Sequence, residues 1–250
     1  MEPQRSSLTI PGAIIIAAAI IAIALIYIFH PQRAAAPSIP QPGTVTQITM
    51  APVTASDHIL GNPNAPIKIV EYSDASCPFC KMFNPTMVQI MNDYGASGNV
   101  AWVYRDFPLD QPDENGNILH PNAGQEAQAL ECAASIGGND TFWAFEKEWY
   151  NVIPQDGADR SAADDLAQIK QVAADVGLDA STFATCLSSG KMKDTVQKQY
   201  LDGINAGASG TPYSIILTPS GSKIPIVGAQ SYASIKAAID TLLPSAQSQN

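Results

Sequence analysis

The fold is decided by one stretch of the chain, Ile69-Val70-Glu71-Tyr72-Ser73-Asp74-Ala75-Ser76-Cys77-Pro78-Phe79-Cys80-Lys81-Met82-Phe83-Asn84-Pro85. It predicts a buried strand, a short turn and a helix that begins at two cysteines. Unpaired backbone N–H groups and the helix dipole stabilise a thiolate at Cys77, and Pro78 suits the first turn. Only a thiolate attacks a disulfide, and Cys80, one turn away, can reclose the bond. The stretch therefore predicts a redox pair.

Metal binding is the alternative for the same two cysteines. Structural zinc needs four ligands, but Cys132 and Cys186 stand far along the chain, and none of the histidines completes a ligand set; these are His30, His58 and His120. A soft ion such as Cu(I) would suit two thiolates. However, no histidine stands near them, and the nearby methionines have the spacing of a helix core. We expect no metal and no cofactor.

The beginning of the chain predicts a membrane anchor. Residues 8–29 are almost entirely apolar, and about twenty such residues span a bilayer core. We therefore expect a transmembrane signal anchor over 8–29 after a short tail over 1–7, with a cleaved signal peptide as the alternative. Residues 30–56 carry prolines and no long apolar run, which predicts a semi-rigid linker.

The remaining chain predicts one folded domain over 57–243 and a tail over 244–250. The protein has 23 acidic and 13 basic residues and a formal net charge of −10. All acidic residues except Glu2 lie from Asp57 onward. An acidic domain is a poor ligand for nucleic acid, so we expect no nucleic-acid partner.

Hydrophobic patterns divide this domain into two halves around a helical block. Strands are predicted at 66–72, 99–105, 213–217 and 223–227, and flanking helices at 78–94 and 231–243. The block, over about 120–206, is predicted to contain helices at 125–135, 141–152, 162–176, 180–187 and 192–206. We interpret it as an insertion between the halves of one sheet. The helix over 78–94 is expected to pack through one apolar face, made of Phe79, Met82, Phe83, Met87, Ile90, Met91 and Tyr94.

The other two cysteines fall within or at the end of predicted helices of the block. A disulfide between Cys132 and Cys186 would join those helices and contribute roughly 4 kcal/mol by the chain-entropy argument. Two unrelated buried thiols are the alternative. An even number of cysteines after an export signal favours the oxidising side of a membrane.

Three features in combination resemble the DsbA-like branch of the thioredoxin superfamily. They are Val70-Glu71, the motif Cys77-Pro78-Phe79-Cys80, and Gly210-Thr211-Pro212 just before a strand. The resemblance covers about residues 63–243. It implies an α/β thioredoxin fold with an inserted helical subdomain, thiol–disulfide exchange and a location in the cell envelope.

The resemblance also implies a role for each matching residue. Cys77 matches the nucleophile, the more exposed cysteine, and Cys80 matches the resolving cysteine, so the two form the redox disulfide. Pro212 matches the cis-proline opposite the pair, with Thr211 presenting its backbone to a bound peptide. These roles come from the family pattern.

Two further positions qualify the resemblance. Glu71 matches the buried acid beneath the active site, which could relay protons to Cys80; a strand glutamate paired with Arg105 is the alternative. Phe79 departs from the pattern, because strongly oxidising DsbA proteins carry a histidine there. A phenyl ring donates no hydrogen bond to a thiolate, so we expect the pKa of Cys77 to be lowered less and the pair to be less oxidising.

These observations predict thiol–disulfide exchange on exported protein or peptide thiols, with disulfide donation as the leading direction. The expected partner is a quinone-linked membrane thiol oxidase, DsbB-like or VKOR-like, that reoxidises the pair. The alternatives are a reductase or isomerase fed by a membrane electron donor, and a non-enzymatic copper-binding module. The predicted location is the plasma membrane, single-pass, with the catalytic domain on the extracytoplasmic side.

Overall fold

The structure is a computed structural model that describes residues 48–154 and 160–243, all within one compact unit. The predicted anchor over 8–29, the linker as far as residue 47 and the tail over 244–250 lie outside the described residues. Within the two described ranges, no helix is long and apolar enough to cross a membrane.

The described chain forms a five-stranded sheet in the order β1-β3-β2-β4-β5. β2 and β3 are parallel, and the other neighbouring pairs are antiparallel. Both central strands are almost wholly buried and rich in Val, Ile and aromatic residues, as expected for strands covered on both faces. The strands are β1 (His58–Gly61), β2 (Ile67–Ser73), β3 (Val100–Asp106), β4 (Tyr213–Leu217) and β5 (Lys223–Val227).

The helices of the described chain fall into a flanking pair and an inserted block. α1 begins at the cysteine pair and continues into a π-helical turn over Met91–Gly95. The helices are α1 (Pro78–Ile90), α2 (Ala123–Gly137), α3 (Asn139–Val152), α4 (Ala162–Asp175), α5 (Ala180–Ser189), α6 (Lys193–Ala206) and α7 (Tyr232–Leu242). Because α2 to α6 lie between β3 and β4 of one sheet, the predicted α/β fold with a helical insertion is confirmed.

Helices cover the sheet on both faces. One face packs against α1, α7 and inserted helices in a core that contains Phe83 and Trp102. The opposite face packs against the end of α6 and residues 48–53, around Tyr72 and Phe107. The cysteine pair lies on the first of these faces, beside the inserted helices.

The last residues of the predicted linker lie against the folded domain. Arg105, only 4% exposed, donates to Asp57 Oδ1 at 2.7 Å and to Asp202 Oδ2 at 2.6 Å. It also donates to the carbonyl oxygens of Ala51 and Pro52. Residues 48–56 are therefore held by the domain and do not act as a free spacer.

Two local expectations were wrong. β1 has no counterpart among the predicted strands, because four residues are too few to show a period and its antiparallel pairing with β3 fixes it. Phe79 and Met82 are 58% and 56% exposed instead of packed. Each precedes a buried residue of α1, Cys80 or Phe83, by one position. Consecutive residues of a helix point about 100° apart around its axis. Phe79 and Met82 therefore point away from the buried face of α1.

Candidate active site

The two cysteines occupy the first turn of α1 and differ in exposure. Cys77 is the N-cap residue in an extended conformation, and Pro78 begins the helix. Cys77 is 3% exposed and Cys80 is 0% exposed, and both are free thiols in this structure. Both thiols are buried, and Cys77 is the more exposed of the two.

The surroundings of Cys77 favour its thiolate. Its pKa is lowered from 9.0 to about 6, above all because the Cys80 thiol donates to it. The Thr211 side chain and the backbone N–H of Cys80 lower the pKa further, whereas burial and the charge of Asp74 raise it. At neutral pH most Cys77 is therefore ionised and nucleophilic.

Cys80 has the opposite character. Its burial raises the pKa well above 9.0, and the neighbouring Cys77 and the charge of Glu71 raise it further. One backbone group opposes this, because the N–H of Asp74 lies 3.5 Å from the Cys80 sulfur. The pair thus consists of an ionised outer sulfur and a protonated inner one.

The segment before β4 faces the cysteine pair because of the sheet topology. β4 runs antiparallel to β2 with Tyr72 opposite Tyr213, so the start of β4 lies at the edge where β2 ends. The Thr211–Pro212 peptide bond is cis. The Cys77 sulfur lies 3.6 Å from the Thr211 carbonyl oxygen, to which it donates only when it is protonated. This arrangement puts an open backbone segment directly beside the outer sulfur.

Glu71 lies beneath the pair on β2 and is 2% exposed. Ser73 Oγ donates to its Oε1 at 2.8 Å, and Trp102 Nε1 donates to its Oε2 at 2.9 Å. Burial raises the pKa of Glu71 from 4.5 to about 7, against the effect of these two bonds. The alternative pairing with Arg105 is wrong, since that guanidinium binds Asp57 and Asp202 on the opposite face.

Asp74 organises the turn that carries Cys77, although the sequence patterns did not single it out. It is 0% exposed and accepts from the backbone N–H groups of Ser76 at 2.7 Å and Leu109 at 2.8 Å. His120 Nδ1 lies 2.9 Å from its Oδ2. An acid three residues before Cys77 was a visible signal, but its partner His120 is remote in sequence.

Inserted helices hold the same turn from the other side. Ser76 Oγ donates to Glu126 Oε2 of α2 at 2.6 Å, and Trp149 Nε1 of α3 donates to the Ala75 carbonyl oxygen at 3.0 Å. Burial raises the pKa of Glu126 well above 4.5, and the adjacent Asp165 raises it further. The helical insertion therefore supports the turn that carries Cys77 as well as enlarging the core.

The remaining two cysteines are bonded to each other and cannot ligate zinc. This excludes a zinc site made of all four cysteines. Cys132 of α2 and Cys186 of α5 form a disulfide with a Cα–Cα distance of 5.9 Å. In the described part of the chain, no group of three or more His, Cys, Asp or Glu side chains could hold a metal ion.

Fold and site together define a thioredoxin-type domain: a reactive outer cysteine at a helix N-terminus, a buried inner cysteine and a cis-proline segment facing them. A family model described as "Thioredoxin" matches residues 54–241. The match spans well over half of the chain, which therefore belongs to this thioredoxin family.

Solved structures show the same fold. The structure of alpha-DsbA1 from Wolbachia pipientis superposes with a TM-score of 0.63 at 22% identity, covering 76% of this chain and 92% of that one. Oxidised BdbD from Bacillus subtilis superposes with a TM-score of 0.64 at 20% identity, covering 78% of this chain and 96% of that one. At such identities the likeness concerns the fold.

A curated relative is a much longer protein, of which this chain matches only a small part. The Na(+)/H(+) antiporter NhaA 1 of Mycolicibacterium gilvum is 34% identical over 94 residues, which are 38% of this chain. The match spans only 13% of the antiporter's length. The similarity therefore concerns a segment of that protein and does not carry ion transport over to this chain.

Proposed function

We propose that this protein is a thiol–disulfide oxidoreductase that donates disulfides to exported proteins through Cys77 and Cys80. The observation that carries the proposal is the contrast between the two sulfurs. The pKa of Cys77 is lowered to about 6, whereas that of Cys80 is raised well above 9.0. Disulfide exchange needs a thiolate at the attacking or leaving sulfur, and the lowered pKa of Cys77 supplies one near neutral pH.

In the donor direction the reaction begins with Cys77 and Cys80 joined as a disulfide. A client thiolate attacks the Cys77 sulfur, forms a mixed disulfide and expels the Cys80 thiolate, which takes up a proton. A second client thiolate attacks the client sulfur of the mixed disulfide and expels the Cys77 thiolate. The client dithiol loses two electrons and the pair gains them. The low pKa of Cys77 makes it a good leaving group in the second step.

The client's backbone has a natural place beside this chemistry. The start of β4 lies next to Cys77, with Thr211 O 3.6 Å from its sulfur. The apolar side chains of Phe79 and Met82 are exposed on the same first turns of α1. An unfolded client presents extended backbone and apolar side chains, so both features suit such a substrate.

The proposal includes an anchor, a location and a partner. The apolar residues 8–29 support a single membrane span, which would keep the domain on the oxidising, extracytoplasmic side of the plasma membrane. Each donation leaves the pair reduced, so turnover requires an electron acceptor. We assign this role to a quinone-linked membrane thiol oxidase, DsbB-like or VKOR-like.

The test is disulfide formation in a reduced, unfolded secreted protein, with the oxidised full-length chain as the reagent. Cys77→Ser should abolish oxidation. Cys80→Ser, charged beforehand with Ellman's reagent as a mixed disulfide at Cys77, should release nitrothiobenzoate and form a mixed disulfide with the client thiol. The matched control is the double variant Cys132→Ala/Cys186→Ala, which should still oxidise the client. Full oxidation by Cys77→Ser would refute the proposal. In that case copper titration of the reduced protein would test the metal-binding alternative.

A further inference from the structure

A second buried acid lies beneath the cysteine pair, supplied by the inserted helix α3. Glu146 is 3% exposed, and Asn84 Nδ2 donates to its Oε1 at 2.5 Å. Asn84 stands on α1, four residues after Cys80, which is one helical turn. Glu146 is therefore tied to the helix that carries the pair, yet the exchange steps described above assign it no task.

The neighbours of Glu146 on α3 contact both hydrogen-bond partners of Glu71. The Trp143 ring lies 4.7 Å from the ring of Trp102, whose indole N–H donates to Glu71. The Tyr150 hydroxyl lies 3.1 Å from Ser73 Oγ, which also donates to Glu71. Glu146 follows Trp143 by three positions and precedes Tyr150 by four, so the three share one helix face. That face is turned toward Glu71.

Because of their surroundings, the carboxyl groups of Glu71 and Glu146 lose their protons one after the other and not together. Burial raises the pKa of Glu146 well above 4.5, and the charge of Glu71 raises it further. The other titratable groups whose charge it influences are the hydroxyls of Tyr104 and Tyr150, and each of these two also interacts with Cys80. Two buried carboxylates of like charge repel, so the loss of a proton from one makes the other hold its own more tightly.

We propose that Glu146 forms, with Glu71, a two-carboxyl proton reservoir for Cys80. This inference rests on the proposed function. When Cys80 attacks a mixed disulfide at Cys77, its thiol proton passes to ionised Glu71 while Glu146 keeps its own. When the Cys80 thiolate is expelled in the reverse direction, the proton returns. No electron passes through either acid.

A proton-holding role of Glu146 predicts an effect on the exchange rate that a purely structural role of this residue does not. In Glu71→Gln the charge that holds the proton on Glu146 is gone, so Glu146 ionises more easily and accepts the Cys80 proton instead. Each acid thus partly replaces the other, and removing both should cost more than the product of the single losses.

The experiment follows reduced full-length protein mixed with Ellman's reagent in a stopped-flow instrument. Attack by Cys77 releases the first nitrothiobenzoate, and attack by Cys80 on the resulting mixed disulfide releases the second. The rate of the second phase is measured against pH for the wild type, Glu71→Gln, Glu146→Gln and the double variant. Glu148→Gln, the same change on a half-buried acid of the same helix, is the matched control. Glu71→Gln/Glu146→Asp tests rescue by a shorter acid.

We expect each single variant to slow the second phase by less than about tenfold near pH 7, and the double variant to slow it by about a hundredfold, the scale of one acid–base catalyst. Glu71→Gln should retain an ionisation in its pH profile that the double variant lacks, and Glu146→Asp should restore it. Simple multiplication of the single effects, or identical profiles for Glu71→Gln and the double variant, would overturn the inference. Absence of the first phase in the wild type would instead overturn the proposed function.

Discussion

Replacement of Glu71 by glutamine should stabilise the reduced protein, but only at a pH high enough for Glu71 to be ionised in the wild type. The side chain is 2% exposed, and burial raises its pKa from 4.5 to about 7. Glutamine has the same shape and carries no charge. Its carbonyl oxygen can accept from Trp102 Nε1, and its amide can donate to Ser73 Oγ. The substitution therefore removes the cost of a buried charge and keeps a hydrogen bond to each partner.

The magnitude follows from the two pKa values. A carboxyl whose pKa is higher in the folded than in the unfolded state makes the protein lose stability as pH rises between the two values. For Glu71 this window runs from 4.5 to about 7. Each pH unit corresponds to about 1.4 kcal/mol, so the loss amounts to about 3 kcal/mol once Glu71 is ionised. Glu71→Gln should match the wild type at pH 4 and exceed it by about 3 kcal/mol at pH 8.

The assay is urea unfolding of the wild type and the variant at several pH values between 4 and 9. The Cys77–Cys80 pair is kept reduced, and a count of two free thiols per chain shows that the Cys132–Cys186 disulfide is intact. Glu148→Gln is the matched control and should follow the wild type at every pH. The reasoning is refuted if Glu71→Gln tracks the wild type across the range, or if its gain appears equally at pH 4.

Two further changes test the site and the packing. Asp74→Asn should lower the pKa of Cys77 below about 6, because the Asp74 charge raises it; the thiolate absorbance of the reduced protein measures this, and an unchanged or higher midpoint would contradict it. Gly203→Ala should destabilise the protein by about 1–3 kcal/mol through overpacking, because its Cβ would lie 2.5 Å from the Phe107 ring. Gly210→Ala, whose Cβ would meet nothing within 4 Å, should cost much less in the same urea experiment, and equal losses would argue against the packing account.

The chain's own patterns predicted the sheet and the helical insertion well. The predicted strands at 66–72 and 99–105 differ from β2 and β3 by one residue at each end, because buried β-branched runs leave a clear signal. The two closing strands have the predicted bounds. β1 was missed, since it exists through pairing with β3 and has too few residues to show a pattern.

The site was only partly readable from the sequence. Local spacing identified Cys77 and Cys80, and the resemblance pointed to Glu71 and to the Thr211–Pro212 segment. Groups from distant parts of the chain support the turn and the helix that carry the pair: His120 lies against Asp74, Glu126 against Ser76, Trp149 against the Ala75 carbonyl, and Glu146 against Asn84. These contacts were not predicted, because the pattern along one helix does not reveal which of its polar residues is turned inward.

The central claim, that Cys77 and Cys80 form an exchangeable pair that donates disulfides, is tested most directly by their equilibrium reduction potential. The pair is titrated in glutathione and dithiothreitol buffers. The low pKa of Cys77 favours the reduced state, whereas Phe79 offers its thiolate no hydrogen bond. We therefore expect a reversible two-electron couple above the thioredoxin value of about −270 mV and below the DsbA value of about −120 mV. A potential at or below about −270 mV would contradict donation and indicate a reductase, and the absence of a reversible couple would contradict the oxidoreductase assignment itself.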